Sequence, residues 1–157
     1  MCPTTGERSP GSAHLIADDL ERLEFEREHL RFRGGKGTTG TQASFLELFE
    51  GDHGKVEELD RLVAEELGFS EVFPVTGQTY PRKVDAKLLS ILAGIAASAS
   101  KFAADIRLLA HEREIEEPFL KTQVGSSAMA YKRNPMRCER ISSLSRFVIS
   151  LLENPYH

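Results

Sequence analysis

One long stretch of helical periodicity constrains the fold of this chain most. From Val84 to Leu109, apolar side chains recur every three or four residues. This spacing places them along one side of an α-helix of about 30 residues, longer than most helices of globular proteins. The run from Ala93 to Ser100 is rich in small residues, which let neighbouring helix backbones approach closely. The helix is therefore expected to pack against partners on several sides.

Most other segments also show helical patterns. A helix with a narrow apolar stripe is predicted from about Ile16 to Arg33, and a short one over residues 42–49, stopped by Gly51. Asp52 is expected to be the N-cap of a third helix, which ends at Gly68, and residues 69–79 form a loop. Asn134 and Pro135 are expected to be the N-cap and first residue of a last helix.

The sequence therefore predicts an all-α fold. No segment alternates in polarity as a strand would, and the helices suggest an elongated helical bundle. Residues 1–13 combine Pro, Gly, Ser and Thr with almost no apolar side chain, and we expect them to form a loose tail.

Composition excludes several functional classes. Lys and Arg number 20 against 24 Asp and Glu, a net charge of −4 over 157 residues, so no global positive field attracts nucleic acid or an anionic membrane. The longest uncharged run, Leu88 to Ser100, is shorter than the roughly 20 apolar residues that span a bilayer. Without a secretory signal, a cytoplasmic location is expected. Two distant cysteines and five scattered histidines do not favour a metal site.

A flexible Gly/Ser segment, Gly125 to Ser127, leads into a strongly basic stretch. Between Tyr131 and Arg146 there are five basic residues and one acid, a local charge of +4. The start of a helix beside such a loop suits an anion. On spacing alone, a solvated basic helix start is as good an explanation, and a contact to RNA or phosphate is a weaker one because few aromatic residues flank the stretch.

Residues Gly125 to Asn134 closely resemble the signature Gly-Ser-Ser-x-Met-Pro-x-Lys-x-Asn of the fumarase/aspartase superfamily, and only Ala130 departs from it. Within the superfamily, the extension to Arg140 and the stretches 31–45 and 76–85 are similar to adenylosuccinate lyases. The resemblance covers the chain from about Leu20 to His157 and implies the all-α superfamily fold, with a long central helix and a mobile signature loop.

The resemblance also implies a reaction. Adenylosuccinate lyases eliminate fumarate from adenylosuccinate, giving AMP, and from the succinyl-carboxamide ribotide of purine biosynthesis. They do so without a cofactor. Ser126 matches the general base, and Lys132 and Asn134 match groups that stabilise charge on the substrate carboxylate. The matched substrate-binding residues are Gln78, Arg140, Ser127, Lys83, Thr38 and Thr39. Read without the resemblance, Ser126 is a turn residue and Gln78 an exposed loop amide.

One part of the superfamily pattern is not found. The general acid is a histidine in a Thr-His-x-Gln-Pro-Ala-Gln motif, and the neighbours of His14 do not match it. We therefore expect residues 14–157 to form a partial central helical domain of a homotetrameric lyase, without its N-terminal and C-terminal domains and nearly inactive alone. The alternative is a noncatalytic helical assembly module that joins related lyase subunits.

Overall fold

Helices form most of the structure. The structure is a computed structural model that describes residues 5–120, 122–129 and 131–157, and the side chains of residues 5–10 and 12 are not described. In chain order the elements are α1 (Thr5–Glu28), β1 (Arg31–Phe32), α2 (Ala43–Leu48), α3 (His53–Glu66), β2 (Glu71–Val72), α4 (Lys83–His111), α5 (Met136–Ser150) and a 3-10 helix (Leu151–Tyr156). The all-α prediction is confirmed, with one small sheet added.

The long helix is confirmed as α4, which spans 29 residues. Its buried side chains are small, at Ala86, Ala93, Ala96 and Ala103, as expected for a helix that neighbours approach closely. By length and composition alone α4 could also cross a membrane, although the sequence predicted no such segment. The prediction considered only uncharged runs, whereas a span tolerates an isolated charge. The core helix of a soluble protein passes the same test.

Two helix ends differ from the prediction. The expected tail over residues 1–13 lies partly outside the described residues, but α1 begins at Thr5, so a loose tail is wrong for residues 5–13. The same helix ends at Glu28 instead of Arg33, because Arg31 and Phe32 form β1, which pairs in parallel with Glu71 and Val72. Part of the predicted loop 69–79 is therefore a strand.

Asp52 and Gly68 bound α3 as predicted. The Asp52 side chain accepts a hydrogen bond from the backbone N–H of Lys55 at 3.1 Å, and Gly68 has a left-handed φ of +80°.

The chain divides into two compact units. One contains the described residues up to Asp19 together with Leu89–Pro155, and the other contains Leu20–Leu88. In the second unit, Val56, Asp60 and Ala64 of α3 are buried. In the first, α5 buries Cys138, Ser142 and Ser145. The residues that resemble the superfamily signature lie in the first unit, and Thr38, Thr39, Gln78 and Lys83 lie in the second.

Candidate active site

Ser126 has a polar environment suited to a base. Its side chain is half-buried, and its Oγ accepts hydrogen bonds from the backbone N–H groups of Ala128 at 3.2 Å and Met129 at 3.3 Å. Hydrogen bonds donated to an oxygen favour its negatively charged form. The turn therefore supplies two preorganised donors to a serine oxyanion, which an isolated serine lacks.

The two limbs of the signature loop meet at Gly125. A Cβ atom on this glycine would lie 2.0 Å from the carbonyl oxygen of Lys132 and 3.2 Å from the Phe119 ring. Only a residue without a side chain permits this approach. Ser126 and Lys132 are thus held at the same neck of the loop, although they lie six positions apart in the sequence. Ala130, the one departure from the signature, lies outside the described residues.

The start of α5 is capped in an unexpected way. The predicted N-cap Asn134 is wrong, because Pro135 occupies the N-cap position and its side chain offers no acceptor. The carboxylate of Glu117 instead accepts the N–H groups of Arg137 at 3.1 Å and Cys138 at 2.9 Å. Sequence reasoning missed Glu117, since a cap supplied from 20 residues away leaves no local signal.

Asn134 is consequently free for a ligand. Its side chain makes no hydrogen bond to another described residue, and it lines a cavity of about 630 Å³ in the first unit. Three guanidinium groups and one carboxylate also line this cavity, together with His111, so it has a net positive charge. Arg133 and Glu139 belong to the basic stretch in which the sequence indicated a possible anion site. Sequence reasoning missed Arg107, His111 and Arg113 as lining residues, although Arg107 and His111 lie at i and i+4 on α4.

Lys132, Ser127 and Arg140 are exposed, the first two on the loop and the third on α5. Within the described part of the chain, neither Lys132 nor Arg140 forms an ion pair. Their charges therefore remain available to an anion.

In the second unit, two of the predicted binding segments meet. Gly40 has a φ of +77°, and a Cβ on it would lie 1.9 Å from the carbonyl oxygen of Thr76. Arg33 joins the same segments, since its Nη2 donates to the carbonyl oxygens of Gly37 at 3.1 Å and Gly77 at 3.4 Å. The structure thus brings the loop that carries Thr38 and Thr39 next to the loop that carries Gln78.

Lys83, the fourth predicted residue of this unit, begins α4 and is exposed. It lines a cavity of about 510 Å³ with Phe25, His29 and Lys87. None of Thr38, Thr39 or Gln78 lines that cavity.

No group of three or more His, Cys, Asp or Glu residues in the described part of the chain is arranged to hold a metal ion. The side chains that are brought together can transfer protons and can bind anions through Lys, Arg and amide groups.

Comparisons with known proteins show the family to which the chain belongs. A family model described as Lyase matches residues 49–150, more than half of the chain. The chain belongs to the lyase family. The range includes the whole signature loop and Gln78, whereas Thr38 and Thr39 precede it.

Individual relatives confirm the resemblance to adenylosuccinate lyases. Proteins of that name from Schizosaccharomyces pombe and Saccharomyces cerevisiae are 58% and 57% identical over 151 residues, 96% of this chain. The adenylosuccinate lyase of Schistosoma mansoni is 53% identical over 134 residues, 85% of this chain. The chain spans only 31%, 31% and 28% of these relatives.

Proposed function

We propose that this chain is a segment of an adenylosuccinate lyase that supplies the base and the carboxylate-stabilising groups for the elimination of fumarate. The observation that carries the proposal is the position of Ser126, which accepts two backbone N–H groups at the neck of a loop whose other limb carries Lys132 and Asn134. The relatives named adenylosuccinate lyase support the substrate class, a succinyl-purine nucleotide.

In the proposed reaction, the Ser126 oxyanion removes the proton from the carbon next to the succinyl carboxylate. Negative charge then builds up on that carboxylate, where Lys132 and Asn134 stabilise it by charge and hydrogen bonding. The C–N bond breaks, fumarate leaves, and the departing amine takes a proton from a general acid. That acid is not assigned to any residue of this chain.

The remaining residues would bind substrate, without a cofactor. Arg140 and Ser127 lie beside or within the signature loop, and Gln78, Lys83, Thr38 and Thr39 lie in the second unit. Adenylosuccinate and the succinyl-carboxamide ribotide are both proposed substrates, and AMP is the product from the first.

We further propose a cytoplasmic homotetramer that binds neither nucleic acid nor membranes. The net charge of −4 supports the first exclusion. Large apolar side chains of α4 and α5, among them Leu108 and Phe147, are exposed, and copies of the chain would cover them instead of lipid.

The experiment measures fumarate release from adenylosuccinate by the chain alone and by the chain mixed with the full-length Schizosaccharomyces pombe relative. That relative is first inactivated by replacing the serine that corresponds to Ser126 with alanine. Little turnover is expected from the chain alone, because no residue is assigned as the acid. Mixing should restore turnover if subunits share active sites.

Ser126→Ala should abolish the restored turnover, a loss of about 100-fold to 10,000-fold for a missing base. Ser143→Ala, at an exposed serine of α5, is the matched control and should keep it. Turnover that survives Ser126→Ala would contradict the assigned base. Mixed assemblies without turnover would favour the noncatalytic assembly module.

A further inference from the structure

A short acidic segment between α4 and the signature loop contacts the return limb of that loop, defined here as Lys132 to Cys138. Glu117 contributes the closest contacts, through the N–H groups of Arg137 and Cys138. Its neighbour Glu116 lies 3.7 Å from the guanidinium of Arg133. The Arg133 guanidinium carbon also lies 5.2 Å from the centre of the Phe119 ring.

The contact from Glu117 is the strongest of these. The first N–H groups of a helix have no partner within the helix, and an ionised carboxylate that accepts two of them forms charge-assisted hydrogen bonds. Because the N-cap residue is Pro135, no side chain at that position caps the helix. Among the described residues, Glu117 alone supplies a side-chain acceptor to these two N–H groups.

Glu117 remains ionised near neutral pH. Burial by itself raises its pKa, but hydrogen bonds from Cys138 and from the backbone of Arg137, with the charge of Arg137, lower the pKa below its ordinary value. The acceptor therefore keeps its charge under assay conditions.

Glu117 thereby fixes the return limb at one end, while the close approach at Gly125 fixes it at the other. Lys132 and Asn134 lie between these two points. Electrostatic stabilisation of a transition state depends on donors held in place before the reaction, and a displacement of about 1 Å can cost 100-fold in rate.

We propose that Glu117 is a positioning residue for the elimination reaction, which holds Lys132 and Asn134 at a fixed place relative to Ser126 by capping α5. This role rests on the proposed function above. Glu117 does not itself touch the substrate, so it acts through the residues that do.

The first test measures amide hydrogen exchange at Arg137 and Cys138 in the chain as it stands. Glu117→Gln keeps the shape but removes the charge and one acceptor, so protection of these two amides should fall about tenfold. Glu114→Gln is the control, since Glu114 is exposed in the same segment and its side chain makes no hydrogen bond in the described structure. Glu117→Asp keeps the carboxylate and should lose less protection; it also replaces Glu117→Gln if that variant does not fold.

The second test measures kcat and KM in the mixed assembly with the inactivated full-length relative. Glu117→Gln should lower kcat about tenfold and change KM less than about twofold, because the displaced groups act mainly in the transition state. Glu114→Gln should leave both unchanged, and Glu117→Asp should recover part of kcat.

The outcomes separate the two proposals. An inactive wild-type mixture overturns the proposed function and the positioning role with it. An active wild-type mixture with unchanged kcat in Glu117→Gln, a loss confined to KM, or unchanged exchange at Arg137 and Cys138 overturns the positioning role alone.

Discussion

Among the described glycines, Gly40 has the closest approach to neighbouring backbone. Its φ is +77°, and a Cβ would lie 1.9 Å from the Thr76 carbonyl oxygen and 2.9 Å from the Thr76 carbonyl carbon. We predict that Gly40→Ala lowers the free energy of unfolding by at least about 2 kcal/mol, because backbone strain adds to a clash that the backbone itself must relieve. Urea unfolding of the two proteins measures the change, with the dependence of the free energy of unfolding on urea concentration held equal for both.

Gly51 provides the matched control for Gly40→Ala. It has a similar left-handed φ of +86°, but a Cβ there would meet no atom within 4 Å. Gly51→Ala should therefore cost only the conformational strain, about 1–2 kcal/mol. Equal losses of unfolding free energy in Gly40→Ala and Gly51→Ala would contradict the close approach between the loop that carries Thr38 and the loop that carries Gln78.

Cys138 should be a poorly reactive thiol. Burial, followed by the hydrogen bond and the negative charge of Glu117, raises its pKa to about 12. In the unfolded chain the thiol has a pKa near 8.5. The contribution of the neutral thiol to the free energy of unfolding is therefore complete below about pH 8.5, and it is lost as the pH rises towards 12. In a Cys2→Ser variant at pH 8, we predict that iodoacetamide modifies folded Cys138 at least about 100-fold more slowly than urea-unfolded Cys138.

Two comparisons check the cause of the low Cys138 reactivity. Glu117→Gln removes the neighbouring charge and should accelerate labelling of the folded protein, whereas Glu114→Gln should not. Similar labelling rates in folded and unfolded protein would show that the thiol is neither buried nor held neutral.

At the level of elements, strong local patterns were enough to predict α4 and the boundaries of α3. The periodicity from Val84 to Leu109 corresponds to a helix over Lys83–His111, and Asp52 caps α3 as its position suggested. Helical periodicity and side-chain caps depend on residues close in sequence, so one sequence suffices to recognise them.

The elements that the sequence did not predict depend on distant partners. β1 and β2 have two residues each and exist because Arg31 pairs with Glu71, 40 positions later. The cap on α5 comes from Glu117, so the favourable local choice of Asn134 was overridden. Nothing within a few residues of either site indicates these contacts.

The candidate site shows the same division. A sequence motif predicted roles for Ser126, Lys132 and Asn134, but the pair of N–H groups on Ser126 and the cavity around Asn134 required the structure. A motif predicts which residues act, whereas their hydrogen bonds and electrostatic surroundings depend on how the chain folds back on itself.

For the whole molecule, the notable feature is the amount of apolar surface left in contact with solvent. In the unit that holds the signature loop, Leu108, Leu144 and Phe147 have 59%, 65% and 61% of their surface exposed. Leu144 and Phe147 lie three residues apart on α5 and so share one face of the helix. Exposed apolar patches of this kind mark surfaces that associate with other chains.

We therefore predict that the purified chain self-associates as its concentration rises. Burying a large apolar side chain contributes about 1.5–3 kcal/mol, so the double variant Leu144→Ser and Phe147→Ser should weaken association by at least about tenfold. Both side chains are exposed, so the substitutions should leave the fold intact. Sedimentation velocity over a range of concentrations measures the shift, with Arg146→Ser, at an exposed polar position of the same helix, as the control. A wild-type chain that stays monomeric at every concentration, or a double variant that associates as well as Arg146→Ser, would contradict an interface on this face of α5.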